Sequence, residues 1–213
     1  MQVGDKFFDM RSDGFLPRNN AIECYHQPGN CLFGIKFKIS PVLFEKKINF
    51  SEYKGYISPL SYLIEPFIIQ QVKKASSFDE RIHLLSGYFE HILQKYVGSL
   101  QSIQIVTGIL DHCNSNNNFS VSMEELGALY HISARTLNRY FESVTSLSCK
   151  KALQIMRVRK ATHHLATSPQ TFHYDLYGYY DHSHFYKQLK IFLQKDTLAG
   201  IRPHLTLLKS LHK

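Results

Sequence analysis

Hydrophobic positions change their rhythm along the 213 residues. In 32-LFGIKFKIS-40, Phe33, Ile35, Phe37 and Ile39 fall on one side and Gly34, Lys36 and Lys38 on the other. That two-residue period predicts a half-buried strand. Gly, Pro and Asn punctuate 14–20 and 28–30, which predicts turns and short strands around it. From Phe78 the period lengthens. Ile82, Leu85, Phe89, Ile92 and Tyr96 recur every three or four residues, predicting an amphipathic helix over 78–97, and a second helix is expected over 100–113. Residues 1–113 thus read as a small mixed β/helical domain. The polar run 114-NSNNNFS-120 reads as a linker.

Beyond it the pattern is a string of helices. Ser122 with Glu125 three residues on is a capping-box signature, opening a short helix with Leu126 and Leu129 on its apolar side. A break follows at His131 and Ile132. Ser133 then caps a helix over 134–144 that buries Leu137, Tyr140 or Phe141, and Val144, and turns Arg135, Thr136, Asn138 and Arg139 outward. A longer helix over 149–167 carries Leu153, Met156, Ala161 and Leu165 as its apolar stripe and Arg157, Arg159 and Lys160 as charges, and Ser168-Pro169 stops it. The logic then repeats in 176-LYGYYDHSHFYKQLKIF-192: a short helix, a turn at Gly178, Asp181 as N-cap, and a helix with Phe185, Leu189 and Phe192 inward. His182, Ser183, Tyr186 and Lys187 fall on its other faces, while His184 beside Phe185 reads as a packing residue. Two short helices with a tight turn, the second bearing exposed Arg and Asn, suit the DNA major groove, where Arg pairs with guanine edges and Asn with adenine edges.

Charge sharpens the picture. Residues 1–120 hold 12 Lys+Arg against 11 Asp+Glu, whereas 121–213 hold 13 against 6 and 8 of the 12 histidines. Nearly all of the net +8 therefore lies in the C-terminal part, pointing to a polyanionic partner. The apolar runs fall short of a membrane span, and MQVGDKFFDMRSDG offers no apolar leader core, so a cytoplasmic location is expected. Cys24, Cys31, Cys113 and Cys149 form no C-x-x-C pair, and reduced thiols are expected. No metal is expected: His182 and His184, two apart on a helix, point about 200° apart. No cofactor loop or nucleophile motif stands out. A Cys-dependent DNA-repair enzyme would need a thiol setting that these four cysteines lack, so the chain reads as no enzyme.

Residues 123–192 resemble the DNA-binding domain of AraC/XylS-type bacterial transcription regulators. The resemblance rests on 132-ISARTLNRYF-141, on 155-IMRVRKA-161 and on 178-GYYDHSHFYKQLKIF-192, which is similar to the family's closing G-[FY]-x-[DS]-x-S-x-F-x-x-x-[FL]-K pattern. The N-terminal part resembles only the subgroup with a short, uncharacterised first domain, as a shortened sensor would. The resemblance implies an α+β chain: a mixed N-terminal domain, then, over 121–207, an all-α domain of two helix-turn-helix units joined by a linker helix. It implies double-stranded promoter DNA as partner, with RNA polymerase and a second copy of the chain as further partners. The first recognition helix would present Arg135, Thr136, Asn138 and Arg139, the second His182, Ser183, Tyr186 and Lys187, and Lys150 and Lys151 would meet phosphates. This chain departs from the pattern at four places. Ser146 and Cys149 stand where the family has Gly and Pro; in 172-FHYDLYG-178 bulky His173 and Tyr174 stand where the small residue of I-A-x-x-x-G packs, or else Tyr177 is a one-residue insertion; and His164 stands where an apolar residue is common. The alternative is a dimerisation or interaction partner whose second unit no longer reads DNA.

Overall fold

The computed structural model describes residues 57–193 and 198–210 and, before them, 2–3, 6–7, 9, 13–16, 22–23, 25, 28–29, 31–37 and 39. The fold is mostly helical with small antiparallel sheets, an α+β composition. It separates into two compact units, 1–103 with 142–146, and 104–141 with 147–213.

In the first unit the strands are two residues long: β1 (Gln2–Val3), β2 (Lys6–Phe7), β3 (Gly14–Phe15), β4 (Ile22–Glu23) and β5 (Ser58–Pro59). One antiparallel sheet has the order β2-β1-β4, and β3 pairs with β5 through Phe15 opposite Ser58. Two helices supply the bulk, α1 (Pro66–Lys74), with proline at its first position, and α2 (Phe78–Lys95). Ser77 Oγ accepts the Glu80 N–H at 3.1 Å, while the Glu80 carboxylate accepts from Ser76 N–H at 2.7 Å. These hydrogen bonds, the Ser76 amide foremost, hold the Glu80 carboxyl below its ordinary range. Arg81 reaches back and donates to the carbonyls of Ala75 (2.7 Å) and Val72 (3.2 Å), covering the end of α1. Between these elements Phe15, Leu63, Ile64 and Leu85 form a small core.

The strand expected over 32–40 is not formed across 31–37. Phe33 and Phe37 are half-buried and meet rings of α2, Phe78 at 5.8 Å and Phe89 at 4.9 Å, whereas Ile35 is 42% exposed. The aromatic rings of a helix, and not a pleated neighbour, are the partner here, so every second residue is not selected for burial. Residues 38 and 40 lie outside the described residues.

In the second unit α3 (Gln101–Asn116) buries Ile105, Val106, Ile109, Leu110 and Cys113. It ends at Asn117, left-handed at φ 54°, with Asn118 N–H donating to the Cys113 carbonyl at 3.1 Å. The run 114–120, expected as a linker, is thus in part the end of α3, and it carries the buried Phe119. The asparagines are cap chemistry: their side chains tolerate the left-handed backbone that stops a helix. There follow α4 (Met123–Leu129), α5 (Ala134–Thr145), α6 (Cys149–Thr167), a 3₁₀ turn at Tyr174–Tyr177, α7 (His182–Leu193) and α8 (Leu198–Ser210). The capping box at Ser122 is complete in both directions, 3.1 and 2.9 Å. The 3₁₀ turn, α7 and α8 all pack against α6.

Side-chain directions correct some of the predicted stripes. Leu126 is buried but Leu129 is 56% exposed. In α5 the buried aromatic is Phe141, with Tyr140 half-buried. Along α6, Leu153 and Ala161 are buried as expected, Met156 and Leu165 are only half-buried, and Val158, Thr162 and Ala166 join the core instead. Phe192 is also half-buried. Between α4 and α5 the chain doubles back so closely that a Cβ on Gly127 would lie 2.6 Å from the Ile132 carbonyl oxygen. Backbone cannot yield there as a flexible side chain would. Gly127→Ala should therefore cost about 1–3 kcal/mol, read as a lower midpoint in urea unfolding. An unchanged midpoint would show that this turn opens without cost.

Candidate nucleic-acid interface

The first turn is built by three local devices. Ile132 N–H donates to the Gly127 carbonyl at 2.9 Å, His131 takes the left-handed conformation at φ 54°, and Ser133 Oγ accepts the Thr136 N–H at 3.1 Å. The Ser133 hydroxyl also donates to Thr136 Oγ1 at 3.1 Å, so Thr136, half-buried, supports the cap. Arg135 and Arg139 are exposed and, four residues apart, share one face of α5. The Arg139 guanidinium lies 5.9 Å from the Tyr140 ring. Asn138 is turned elsewhere. It is half-buried, and its Oδ1 accepts the Cys149 N–H at 3.2 Å, tying α5 to the first residue of α6.

The joint between these helices holds two of the sequence departures. Ser146 is buried and left-handed at φ 63°, and its hydroxyl has no hydrogen-bond partner among the described residues. Ser148 caps α6 by accepting the Lys151 N–H at 3.3 Å, and Lys150 and Lys151 stand exposed in that first turn. Cys149 at the first helical position keeps an N–H that a proline would lack, and Asn138 satisfies it.

The second turn is anchored differently. Gly178 is left-handed at φ 69°, and its carbonyl accepts from Arg157 Nη2, on α6. The same guanidinium lies 3.8 Å from the centroid of the Tyr179 ring, which is 2% exposed. Burial pushes the Tyr179 phenol up to about 12, partly countered by Arg157. Asp181 caps α7 by accepting the His184 N–H at 2.6 Å. On α7, His182, Ser183 and Lys187 are exposed, and the half-buried Tyr186 carries the His182 ring at 4.4 Å. His184 instead meets the Tyr179 ring edge-on at 5.4 Å, so the two histidines engage different rings. Gln154 of α6 donates to Gln188 of α7 at 2.6 Å.

The bulky segment before Gly178 has a partner. Tyr177, 5% exposed, places its hydroxyl 2.9 Å from His164 Nδ1, and His164 Nε2 lies 2.9 Å from Thr171 Oγ1. Phe172 stacks on Tyr177 at 6.2 Å and reaches Phe185 at 5.3 Å. His164 is one of the departures named above and Tyr177 belongs to another, and each meets the hydrogen-bonding capacity of the other; His173 is exposed and Tyr174 half-buried.

The site residues named from sequence therefore separate. Arg135 and Arg139 are exposed together on α5, Lys150 and Lys151 at the start of α6, and His182, Ser183 and Lys187 on α7. Asn138 and Thr136 serve the scaffold, and Tyr186 carries His182. Gly127, Arg157, His164 and Tyr177 are the structural residues that periodicity did not single out as such; only the positive charge of Arg157 on an otherwise packed helix hinted at a partner. Among the described residues no three His, Cys, Asp or Glu side chains converge, and no helix is long and apolar enough to cross a membrane. Comparison of the chain with protein-family models, curated proteins and solved structures finds no match.

Two measurements test this geometry. Ser146→Gly removes both a left-handed side chain and a buried unpartnered hydroxyl, and should stabilise the protein by about 1 kcal/mol, seen as a higher thermal midpoint. Burial raises the Cys113 thiol to about 11 and the Cys149 thiol to about 12, so both stay protonated at neutral pH. An alkylating reagent at pH 7.5, followed by peptide mass spectrometry, should label exposed Cys31 and leave Cys113 and Cys149 unmodified until denaturant is added. Rapid native labelling of either would contradict that burial.

Proposed function

We propose that the chain is a sequence-specific transcription regulator of the AraC/XylS type, reading promoter DNA with two helix-turn-helix units. The supporting observation is that α5 and α7, each preceded by a left-handed turn residue and a side-chain cap, are both hydrogen-bonded to the one helix α6. A 19-residue helix spans about 28 Å, comparable with the roughly 34 Å that separates successive major-groove segments on one DNA face. A single chain can then set two reading helices one turn apart.

The chemistry of the two helices fits that use. Arg135 and Arg139 supply guanidinium forks for guanine edges or phosphates. His182, Ser183 and Lys187 supply donors at the start and first turns of α7. Lys150 and Lys151, beside the N–H groups that open α6, suit a phosphate. In this reading the first unit supports sensing or dimerisation, RNA polymerase is the downstream partner, the protein acts in the cytoplasm, and it performs no catalysis. The alternative, an interaction protein with a degraded second reading head, rests on the bulky 172–178 segment and on the short first domain; the His164–Tyr177 pairing supports the first reading by giving part of that segment a partner.

Selection of bound duplexes from random DNA tests the proposal directly. It should return two short motifs about one helical turn apart, with affinity that falls steeply as salt rises, because phosphate contacts release counterions. Arg135→Ala and Arg139→Ala should each weaken binding to the selected site by about 1–3 kcal/mol. Recovery of no motif, or full affinity in both variants, would overturn the assignment.

A further inference from the structure

The aromatic cluster around His164 is more than filling. Its hydrogen bonds have one direction that satisfies every member. Thr171 Oγ1 lies 3.1 Å from the Ser168 carbonyl, which can only accept, so the Thr171 hydroxyl proton points there. Thr171 Oγ1 must then accept from His164 Nε2–H. The other ring nitrogen, Nδ1, is left with a lone pair, and Tyr177 O–H donates into it. Burial raises the Tyr177 phenol, which keeps that proton in place. The chain of donors runs from Tyr177 through His164 and Thr171 to the backbone that terminates α6 at Ser168.

On its other side the Tyr177 ring bears on Phe172, and Phe172 on Phe185, which is fully buried in α7. Tyr179 meets Phe185 from a second direction at 5.1 Å. The base of α7 is thus wedged between Phe172, whose placement follows from His164 directly and through Tyr177, and Tyr179, which packs on Arg157. We infer that His164 is a positioning residue for the helix His182–Leu193, fixing its orientation through Tyr177 and Phe172. This rests on the proposal that α7 reads DNA.

Three variants test it: His164→Leu, which fills the space but accepts nothing; His164→Asn, whose Oδ1 lies close to the position of the ring Nδ1; and Tyr177→Phe, which keeps the ring stack and removes the donor. Each is measured for thermal midpoint and for binding to two duplexes. One is the selected two-motif site, and the other has the motif read by α7 scrambled. The wild type should prefer the intact site. His164→Leu and Tyr177→Phe should lose about fivefold to tenfold of that preference while binding the scrambled duplex as the wild type does, and His164→Asn should recover most of it. A second readout needs no DNA: the ring ¹⁵N shifts of His164 should report the Nε2–H tautomer, and Tyr177→Phe should move Nδ1 alone.

If the variants melt earlier yet keep the wild-type preference, His164 is structural only and the inference falls. A protonated Nδ1 in the neutral wild-type ring overturns it equally. Absence of any site preference in the wild type, with the expected tautomer present, would instead sink the DNA-reading proposal and this inference with it. Should His164→Leu fail to fold, Tyr177→Phe carries the same comparison.

Discussion

The arrangement of the 3₁₀ turn, α7 and α8 depends on how closely these elements can approach α6. Its buried positions are mostly small: Cys149, Ala152, Ala161, Thr162 and Ala166, with Leu153 and Val158 as the larger members. Small side chains let neighbouring helices come near the α6 backbone, so shape and not sheer apolar area holds them. This also explains why the helix is a weak amphipath. It is surrounded by the 3₁₀ turn, α7 and α8, and a helix packed on several sides has no need of a single stripe. The Thr162 hydroxyl, buried with them, returns its proton to the Val158 carbonyl at 2.7 Å, which lets a polar residue sit there without an orphaned donor.

Against that pillar the polar ties act as alignment devices. Asn138 to the Cys149 amide, Arg157 to Gly178, Gln154 to Gln188 and His164 to Tyr177 occur at successive levels of α6. None is a strong stabiliser by itself; a neutral hydrogen bond contributes on the order of 1 kcal/mol net. Their value is directional. Apolar packing tolerates small rotations of a helix about its axis, while a hydrogen bond made in a half-buried place does not. Lys160, donating to the Asn114 carbonyl, adds a tie between α6 and the end of α3.

Much of the helical part was legible in the sequence because its signals are local. Ser122 with Glu125, Ser133, Asp181, Gly178 and the Ser168-Pro169 stop each act within one turn of the chain, and the helices begin and end within a few residues of where those signals place them. The failures share a different cause. Phe33 and Phe37 looked like alternate residues of a strand because a two-residue period and a four-residue spacing coincide at every fourth position. Asn138 looked outward because helical spacing alone cannot see that the next helix begins with an unsatisfied amide 11 residues on. His164 and Tyr177 looked like flaws because each is unfavourable alone, and the compensation spans 13 residues. Periodicity reads one element at a time, and pairings between elements escape it. The exposed cations, by contrast, were found correctly on α5 and α7 because exposure follows from the same spacing that fixes the core.

On the proposed reading, the two heads are chemically unequal. α5 offers two guanidiniums on one face, which attract DNA over a Debye length and can adapt to a phosphate or a guanine edge. α7 offers the ammoniums of Lys187 and, half-buried, Lys190, together with the Ser183 hydroxyl and the His182 imidazole, groups whose hydrogen bonds are short-ranged and fail beyond a few tenths of an ångström of misplacement. Long-range attraction tolerates a loose scaffold, whereas short-range readout does not. α5 is tied to the start of α6 by the Asn138 bond near its centre. The turn and helix of the second head are held by Arg157, by Gln154 and by the ring chain from His164.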